Sequence, residues 1–271
     1  MVNTKARRAA QLDESIYTTS TIDLSRAAEM LSALVNEACS HSWRALLPKS
    51  RAIDAHDVER LVTCENTRRP TTFYWFWLSR GDTDELFGVA TVADQISRDV
   101  PVDGFPVLAR SYIHPEYRAR GLYEHLVSHR VAQCRSRFGA ALRGIHFGTN
   151  EPRILRAARR HLQPPPILLG QELLTCPEGT HHVSDYLALA SAYVAQLRVE
   201  LAAIHTCGSA AAGDAWRLGN RLLDGCFEPC AVEASTDYGR LRRAIGTLDR
   251  SIDTPGWHEL LAFCDAIPLR Q

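Results

Sequence analysis

One short stretch of the sequence joins a strand end, a proline turn, a glycine and the start of a helix. Residues 111 to 113 (SYI) end a strand, residues 114 and 115 (HP) turn the chain, and residues 118 to 123 (RARGLY) lead into an amphipathic helix. Backbone N–H groups at the start of a helix bind anions, and Gly121 lets the backbone approach such a ligand closely. The stretch therefore predicts a binding turn for a phosphate or pyrophosphate.

Arginines are concentrated around this turn. Residues 110 to 160 contain eleven arginines, three glutamates and no lysine, although the whole chain has a formal net charge of zero. Guanidinium groups bind phosphate in a bidentate geometry and keep their charge, so the window favours an anionic partner. The alternative is that several of these arginines are solvated residues on helix faces and bind nothing.

The segments around the turn alternate between strand and helix patterns, which is typical of an α/β fold. In chain order, the predicted elements are a helix capped by Asp23, a hairpin of residues 71–79 and 85–93, a strand at 104–113, a helix from Leu122 to Gly139, a strand at 142–147, a helix capped by Asn150, and a strand after the prolines at 164–166. Trp75 and Trp77 in the hairpin are assigned to the core, with the lining of an acyl tunnel or stacking on a substrate as the alternative.

The last third of the chain has a different pattern. Apolar residues from Val183 to Ile204 recur at i, i+3, i+4 and i+7, which predicts one long helix, and shorter helices are expected near 210–224, 236–249 and 255–266. We therefore predict three parts: a polar N-terminal arm (1–20), an α/β domain (21–178) and an all-helical extension (179–271).

Composition limits the class of protein. The 271 residues are 45% apolar and 23% charged, as in folded globular proteins rather than disordered chains. No apolar run reaches the roughly 18 to 20 residues that span a bilayer, and the first residues lack the apolar segment of a signal peptide, so no membrane span and a cytoplasmic protein are expected.

The cysteines give no sign of a metal site or a disulfide framework. The eight cysteines are scattered, mostly within apolar stretches. Cys226 and Cys230, taken with His181, His182 and His205, match no common zinc-ligand spacing. We expect reduced, buried thiols and no metal.

The phosphate-binding turn resembles the acyl-CoA motif of the GCN5-related N-acetyltransferase (GNAT) superfamily, Arg/Gln-x-x-Gly-x-Gly/Ala after a strand that ends in V-x-P-x-x-R. Ile113, Pro115, Arg118 and Gly121 match this pattern, whereas Tyr123 stands where the family usually has Gly or Ala. The order of the predicted elements also fits over about residues 20 to 175. The resemblance implies an α/β fold with a GNAT-like mixed central sheet flanked by helices, to which the helical extension is appended.

The resemblance also implies a site for acyl-CoA or acetyl-CoA as the donor. It assigns the pyrophosphate to the motif that begins at Arg118 and to the backbone amides of Arg120, Gly121, Leu122 and Tyr123. It pairs the pantetheine arm with the strand edge at Tyr112 and Ile113, and adds a contact from Asn150.

Acyl transfer to an amine needs a neutral amine, so a general base with a pKa near neutrality would help. His146, on the strand beside the expected thioester, and Glu151, close after it, are the candidates, and Tyr112 is a candidate hydroxyl donor to the donor carbonyl or thiolate. The alternatives are a histidine and a tyrosine that only pack in the sheet. Ala157 occupies the position of the family's usual thiolate-protonating tyrosine, so the resemblance assigns no residue to that step.

These observations predict an acyltransferase that moves an acyl group from acyl-CoA to an amine of a small molecule or a peptide. One alternative is an acyl carrier protein as donor, because the arginines exceed what the phosphates of CoA require. Another is a non-catalytic CoA- or nucleic-acid-binding module on the same fold. Nucleic acid is disfavoured because aromatic side chains seldom alternate with arginines in residues 110 to 160.

Overall fold

A seven-stranded mixed sheet forms the centre of the computed structural model, with the strand order β1-β2-β3-β4-β5-β7-β6. The structure describes residues 14–18, 22–37, 52–68, 72–80, 85–94, 104–149, 151–176 and 179–206, together with residues 213, 216, 217 and 220. The strands are β1 (Glu14–Thr18), β2 (Phe73–Arg80), β3 (Leu86–Ala93), β4 (Val107–Ile113), β5 (Gly144–Thr149), β6 (Ile167–Cys176) and β7 (Gly179–Leu189). Neighbouring strands are antiparallel except for β4 and β5, which are parallel.

Helices cover both faces of this sheet. They are α1 (Leu24–Glu37), α2 (Ala55–Arg68), α3 (Leu122–Phe138), α4 (Pro152–His161) and α5 (Ser191–His205). Buried residues of α1 and α2 pack on one face, and those of α3 and α4 pack on the other. The predicted α/β fold with a mixed central sheet flanked by helices is confirmed.

The hairpin of β2 and β3 contributes residues to the hydrophobic cores on both faces of the sheet, because its side chains alternate between the faces. Trp75 and Trp77 lie in the core beneath α1 and α2, with 2% and 0% of their surface exposed. Phe76 and Val92 lie in the core beneath α3 and α4. The assignment of the two tryptophans to the core is therefore confirmed.

Local capping explains where three of the helices begin or end. The amide of Ser25 donates to Asp23 Oδ1 at 2.8 Å, which caps α1 as predicted. The α2 helix, which the sequence pattern did not reveal, begins with reciprocal bonds between the amides and carboxylates of Asp54 and Asp57 at 2.9 and 3.1 Å. The α3 helix ends at Gly139, also as predicted.

The prediction of one long helix over residues 183 to 204 is wrong for the first part of that range. Residues up to Leu189 belong to β7, which pairs with β5 on one side and β6 on the other, and the helix begins only at Ser191. A strand buried on both faces gives a nearly continuous apolar run, which helical spacing alone cannot exclude. The sheet thus continues past residue 178, where the helical extension was expected to start.

Two smaller expectations at the edges of the domain also change. The predicted polar arm contains β1, which adds a strand to the edge of the sheet beside β2. The N-cap position of α4 is Glu151, and the predicted capping residue Asn150 lies outside the described residues. The helices predicted after residue 206 likewise fall outside the described part, apart from the four isolated residues.

The helices in the described part of the chain are too short or too polar to cross a bilayer.

Candidate active site

A cleft opens where β4 and β5 separate. The two strands pair only once, between Val107 and His146, at the start of β4. Beyond that point β4 pairs with β3 alone, while β5 pairs with β7 along its whole length. Residues 108 to 113 of β4 therefore present an edge that β5 does not cover, and such an edge can pair with an extended ligand.

A bulge at Arg110 sets the direction of the side chains along this edge. The register with β3 passes from Thr91–Ala109 to Ala90–Ser111 and skips Arg110, whose φ is 42°. A bulge reverses the alternation of faces, so Ala109 and Tyr112 both pack beneath α1 and α2. Ser111 then lies on the side of α3.

The turn after β4 leads directly into the start of α3. Gly121 is the N-cap residue, with φ 83° and ψ −3°, and the first helical bond runs from the amide of Glu124 to its carbonyl at 2.9 Å. The first amides of a helix have no partner inside the helix and carry the positive end of its dipole. A Cβ atom at Gly121 would meet no atom within 4 Å, so open space adjoins these amides.

Side chains of the turn hold its conformation rather than point freely into solvent. Arg118 Nε donates to the carbonyl of Ile113 at 2.8 Å, and its guanidinium lies 5.6 Å from the ring centre of Tyr112. Arg120 Nη2 donates to the carbonyl of Glu116 at 3.0 Å. Both arginines of the motif thus brace the turn and leave its amides to meet a ligand.

Tyr117 anchors the same turn to β3. Its ring stacks on Phe87 at 4.5 Å, and its hydroxyl donates to Glu85 Oε2 at 2.7 Å. The hydrogen bond to Glu85, together with burial, raises the pKa of the Tyr117 hydroxyl, so this group stays protonated at neutral pH. It acts as a structural donor in the turn.

The cleft has a volume of about 560 Å³ and two walls. The first wall is β4, the turn and the start of α3, and the second is the N-cap and one side of α4. Among the candidate residues, the structure brings together Tyr112, Ile113, Arg118, Gly121, Leu122, Tyr123 and Glu151 as lining of this cleft. Arg120 lies in the turn beside it, and Asn150 lies outside the described residues.

The arginine-rich window divides into several environments. Arg118 on the first wall and Arg153, Arg156 and Arg160 on the second line the cleft. Arg160 Nη1 also bonds to Glu124 Oε2 at 2.8 Å, which ties the two walls together. Arg135, Arg137 and Arg143, which belong to the same window, contact the backbone or aromatic rings elsewhere. The anion-binding expectation thus concerns four arginines and the amides.

His146 lies apart from this lining. It sits on β5 opposite Val107, its side chain is 13% exposed, and its Nε2 is 3.9 Å from Asp185 Oδ1. Burial lowers its pKa to about 4, so the imidazole is neutral but only weakly basic at neutral pH.

Ala157 lines the cleft and is 5% exposed. The position at which the GNAT resemblance expects a tyrosine therefore faces the cleft without a hydroxyl.

Sequence reasoning did not single out Ser111 or Arg130. Buried apolar residues of α3 recur every four positions, at Leu122, Leu126 and Cys134, and Arg130 occupies the remaining position of this stripe. Its side chain is also buried, with 1% of the residue exposed. An arginine inside such a stripe is a signal that the sequence does offer. Ser111 carries no comparable signal, because its orientation depends on the bulge.

No family model matches this chain, and no curated protein matches it. Solved structures of acetyltransferases align with about two thirds of it. The ribosomal-protein-S5-alanine acetyltransferase of Vibrio fischeri is 9% identical, covers 66% of this chain and 94% of its own, and gives a TM-score of 0.47. The spermidine N-acetyltransferase of Vibrio cholerae in complex with CoA and spermine is 12% identical, covers 67% and 98%, and gives 0.45. A GNAT-family acetyltransferase of Streptococcus pneumoniae is 16% identical, covers 66% and 100%, and gives 0.42.

The mixed sheet with helices on both faces agrees with the GNAT-like fold expected from the sequence.

Proposed function

We propose that this protein is an N-acyltransferase that moves an acyl group from acyl-CoA to an amine of a small molecule or a peptide. One observation carries the proposal: a single cleft combines the left-handed Gly121 turn at a helix N-terminus, an uncovered strand edge and four arginines. A phosphate-bearing ligand with an extended amide arm has the matching chemistry.

Each part of the donor meets a matching part of the cleft. The amides at the start of α3 hold the pyrophosphate, because helix N-termini favour anions. Arg153 and Arg156, both exposed on α4, attract the phosphates through charge. The amide groups of the pantetheine arm pair with the backbone of Tyr112 and Ile113, as a strand added to a sheet edge does.

The acyl carbon then lies where β4 and β5 diverge, and a neutral amine attacks it. Glu151 lines the cleft and is exposed, so its carboxylate takes the proton from the amine directly or through a water. His146 is less suited to this role, because a pKa of about 4 makes it a weak base and it does not line the cleft. Tyr112 packs beneath α1 and α2 and supports the strand edge.

Thermal unfolding with acetyl-CoA, a long-chain acyl-CoA and RNA tests the donor class. A ligand that binds only the folded state raises Tm, because it increases the free energy of unfolding. The increase is about 2.7 kcal/mol when the ligand concentration is a hundred times Kd. We expect a rise with the CoA thioesters, followed by acylated products in a mass-spectrometric screen of amines. A rise with RNA alone would favour the nucleic-acid-binding alternative, and CoA binding without any product would favour a non-catalytic module.

An acyl carrier protein is a second candidate donor. Arg153, Arg156 and Arg159 are exposed on α4 beside the cleft, where the acidic helix of a carrier protein could dock. The test compares matched acyl-CoA and acyl-carrier-protein donors at low and high salt, in the wild type and in Arg156→Glu/Arg160→Glu. A carrier-protein enzyme prefers the protein donor and loses that preference with salt or charge reversal, whereas equal use of both donors leaves CoA as the donor.

A further inference from the structure

Arg130 is a fully buried arginine whose guanidinium reaches the first wall of the cleft. Its Nη1 donates to the carbonyls of Thr91 and Ala109, at 3.3 Å each, and its Nη2 donates to the hydroxyl of Tyr123 at 3.5 Å. Among the described residues no carboxylate pairs with it, and its Nε has no hydrogen-bond partner. A buried charge without a counter-ion is costly, so its presence at this place indicates a role that needs the charge.

The hydrogen bonds from Arg130 lead in one direction. A guanidinium has donors and no acceptor, so Tyr123 accepts from Arg130 and keeps its own hydrogen for another group. That group is Ser111, whose Oγ lies 3.4 Å from the Tyr123 hydroxyl. Ser111 in turn lines the cleft, and the described residues provide no acceptor for its hydroxyl hydrogen.

The fold places this row of donors on the first wall of the cleft, on the side where the acyl carbon is proposed to lie. Ser111 directly follows the bulge at Arg110, and the bulge turns its side chain toward α3. Among the β4 residues that line the cleft and carry a hydroxyl, Ser111 lies nearest the point where β4 and β5 diverge. Hydrogen bonds in a row polarise one another, so a charged donor at one end strengthens the donor at the other.

We propose that Ser111 is the group that donates a hydrogen bond, and then a proton, to the sulfur of the departing CoA thiolate, with Tyr123 and Arg130 as positioning residues. The inference rests on the proposed acyl transfer from CoA and names the acid for that reaction. It supplies the hydroxyl that Ala157 lacks.

The protons that move in this step pass between the residues of the row, the reactants and the solvent. As the amine nitrogen bonds to the acyl carbon, the C–S bond breaks and the electron pair goes to sulfur. Sulfur takes the Ser111 hydroxyl proton, Ser111 takes the proton of Tyr123, and Arg130 stabilises the tyrosinate that forms. The amine loses a proton to Glu151 or solvent, and a solvent proton restores Tyr123.

Equilibrium binding of CoA and desulfo-CoA, which lacks the sulfur, tests the role without an acceptor amine. Calorimetry at pH 7 and pH 9 is informative, since pH 9 lies above the usual thiol pKa of about 8.5. In the wild type, the advantage of CoA over desulfo-CoA should grow at pH 9, because the thiolate accepts a charge-assisted hydrogen bond. Ser111→Ala should reduce CoA affinity at pH 9 about tenfold and leave desulfo-CoA affinity unchanged.

The second residue of the row gives an independent check. Tyr123→Phe should lower the CoA affinity at pH 9 about threefold, because Ser111 keeps its hydroxyl but loses the polarising neighbour. The double variant should match Ser111→Ala alone, since the two act as one unit. Tyr74→Phe, on β2 and away from the cleft, serves as the control and should change neither affinity.

Two results would overturn the inference. Equal binding of CoA and desulfo-CoA by the wild type at pH 9 excludes a donor to sulfur, and a parallel loss of both ligands in the variants shows a structural role only. Failure of the wild type to bind either ligand is distinguishable from both, because it removes the proposed donor site itself and the role of Ser111 with it.

Discussion

The two walls of the cleft contribute in different ways. On the first wall, backbone conformation is specified by Gly121, by the bulge at Arg110 and by bonds such as that from Arg118 to the carbonyl of Ile113. On the second wall, α4 presents exposed arginine side chains, of which Arg160 is paired with Glu124. One wall supplies geometry and the other supplies charge. Changes on the first wall should therefore cause steep losses that salt does not alter, and changes on the second should cause graded losses that salt removes.

Gly121→Asp should have the largest effect on donor binding. It places a side chain and a negative charge in the open space beside the first amides of α3, where the pyrophosphate is proposed to lie. We expect CoA affinity to fall by more than about a hundredfold, equivalent to roughly 2.7 kcal/mol, at both low and high salt. Isothermal titration calorimetry measures the loss, and circular dichroism checks that the fold persists.

Gly139→Asp is the matched control at the other end of the same helix. Gly139 also has a positive φ, 50°, and open space around its missing Cβ. An aspartate there brings comparable backbone strain, so it should lower Tm without lowering CoA affinity. If both variants bound CoA equally well, the turn at Gly121 would not be the donor site.

Arg156→Glu tests the second wall. Arg156 is exposed and lines the cleft, so charge reversal should weaken CoA binding about tenfold in dilute buffer and by much less near 1 M salt, where the Debye length is about 3 Å. Arg159 lies on the same helix and is exposed, but it does not line the cleft, so Arg159→Glu is the matched control. A similar loss in both variants would indicate a general field of the helix rather than a contact in the cleft.

Glu151→Gln separates chemistry from binding on the same wall. The carboxylate that takes the amine proton is lost while the shape of the side chain is kept, so kcat should fall by about a hundredfold. CoA affinity should change by less than about twofold, because removing one exposed negative charge affects the phosphates only weakly. Steady-state kinetics with any amine identified in the screen measures kcat, and an unchanged kcat would remove Glu151 from the mechanism.

His146→Phe should leave CoA affinity unchanged and alter only the dependence of stability on pH. Because burial lowers the pKa of His146 to about 4, the unfolded state binds a proton between pH 6.5 and pH 4 that the folded state does not. His146 therefore destabilises the wild type as the pH falls through this range, by up to about 3 kcal/mol. The variant should show a flatter profile of Tm against pH, and reduced CoA affinity would instead place His146 in the site.

Local features of the sequence determined the ends of two helices and the faces of the hairpin. Gly121 and Gly139 bound α3, because positive φ angles favour glycine and end helices. The alternation of the hairpin assigned its side chains to the two faces of the sheet, and Asp23 capped α1 through its own side chain. Each of these depends on a few neighbouring residues, so each could be predicted without a structure.

Pairing between distant segments was decided by the tertiary structure. Residues 183 to 189 have apolar spacing compatible with a helix, and they form a strand because β5 and β6 lie on either side to receive their backbone bonds. The separation of β4 from β5, which opens the cleft, likewise has no local signature. Position within a sheet overrides the short-range pattern in the first case, and in the second it decides what no short-range pattern encodes.

The sequence by itself determined the turn between β4 and α3, since a strand end, a proline, a glycine and a helix start follow one another in the chain. Only the tertiary structure decided what faces that turn. Ser111, Tyr123 and Arg130 belong to one hydrogen-bonded row because the bulge at Arg110 reverses the strand's faces and α3 packs across β4. Turn conformation depends on bonds within a few residues, whereas the meeting of side chains depends on how whole elements pack.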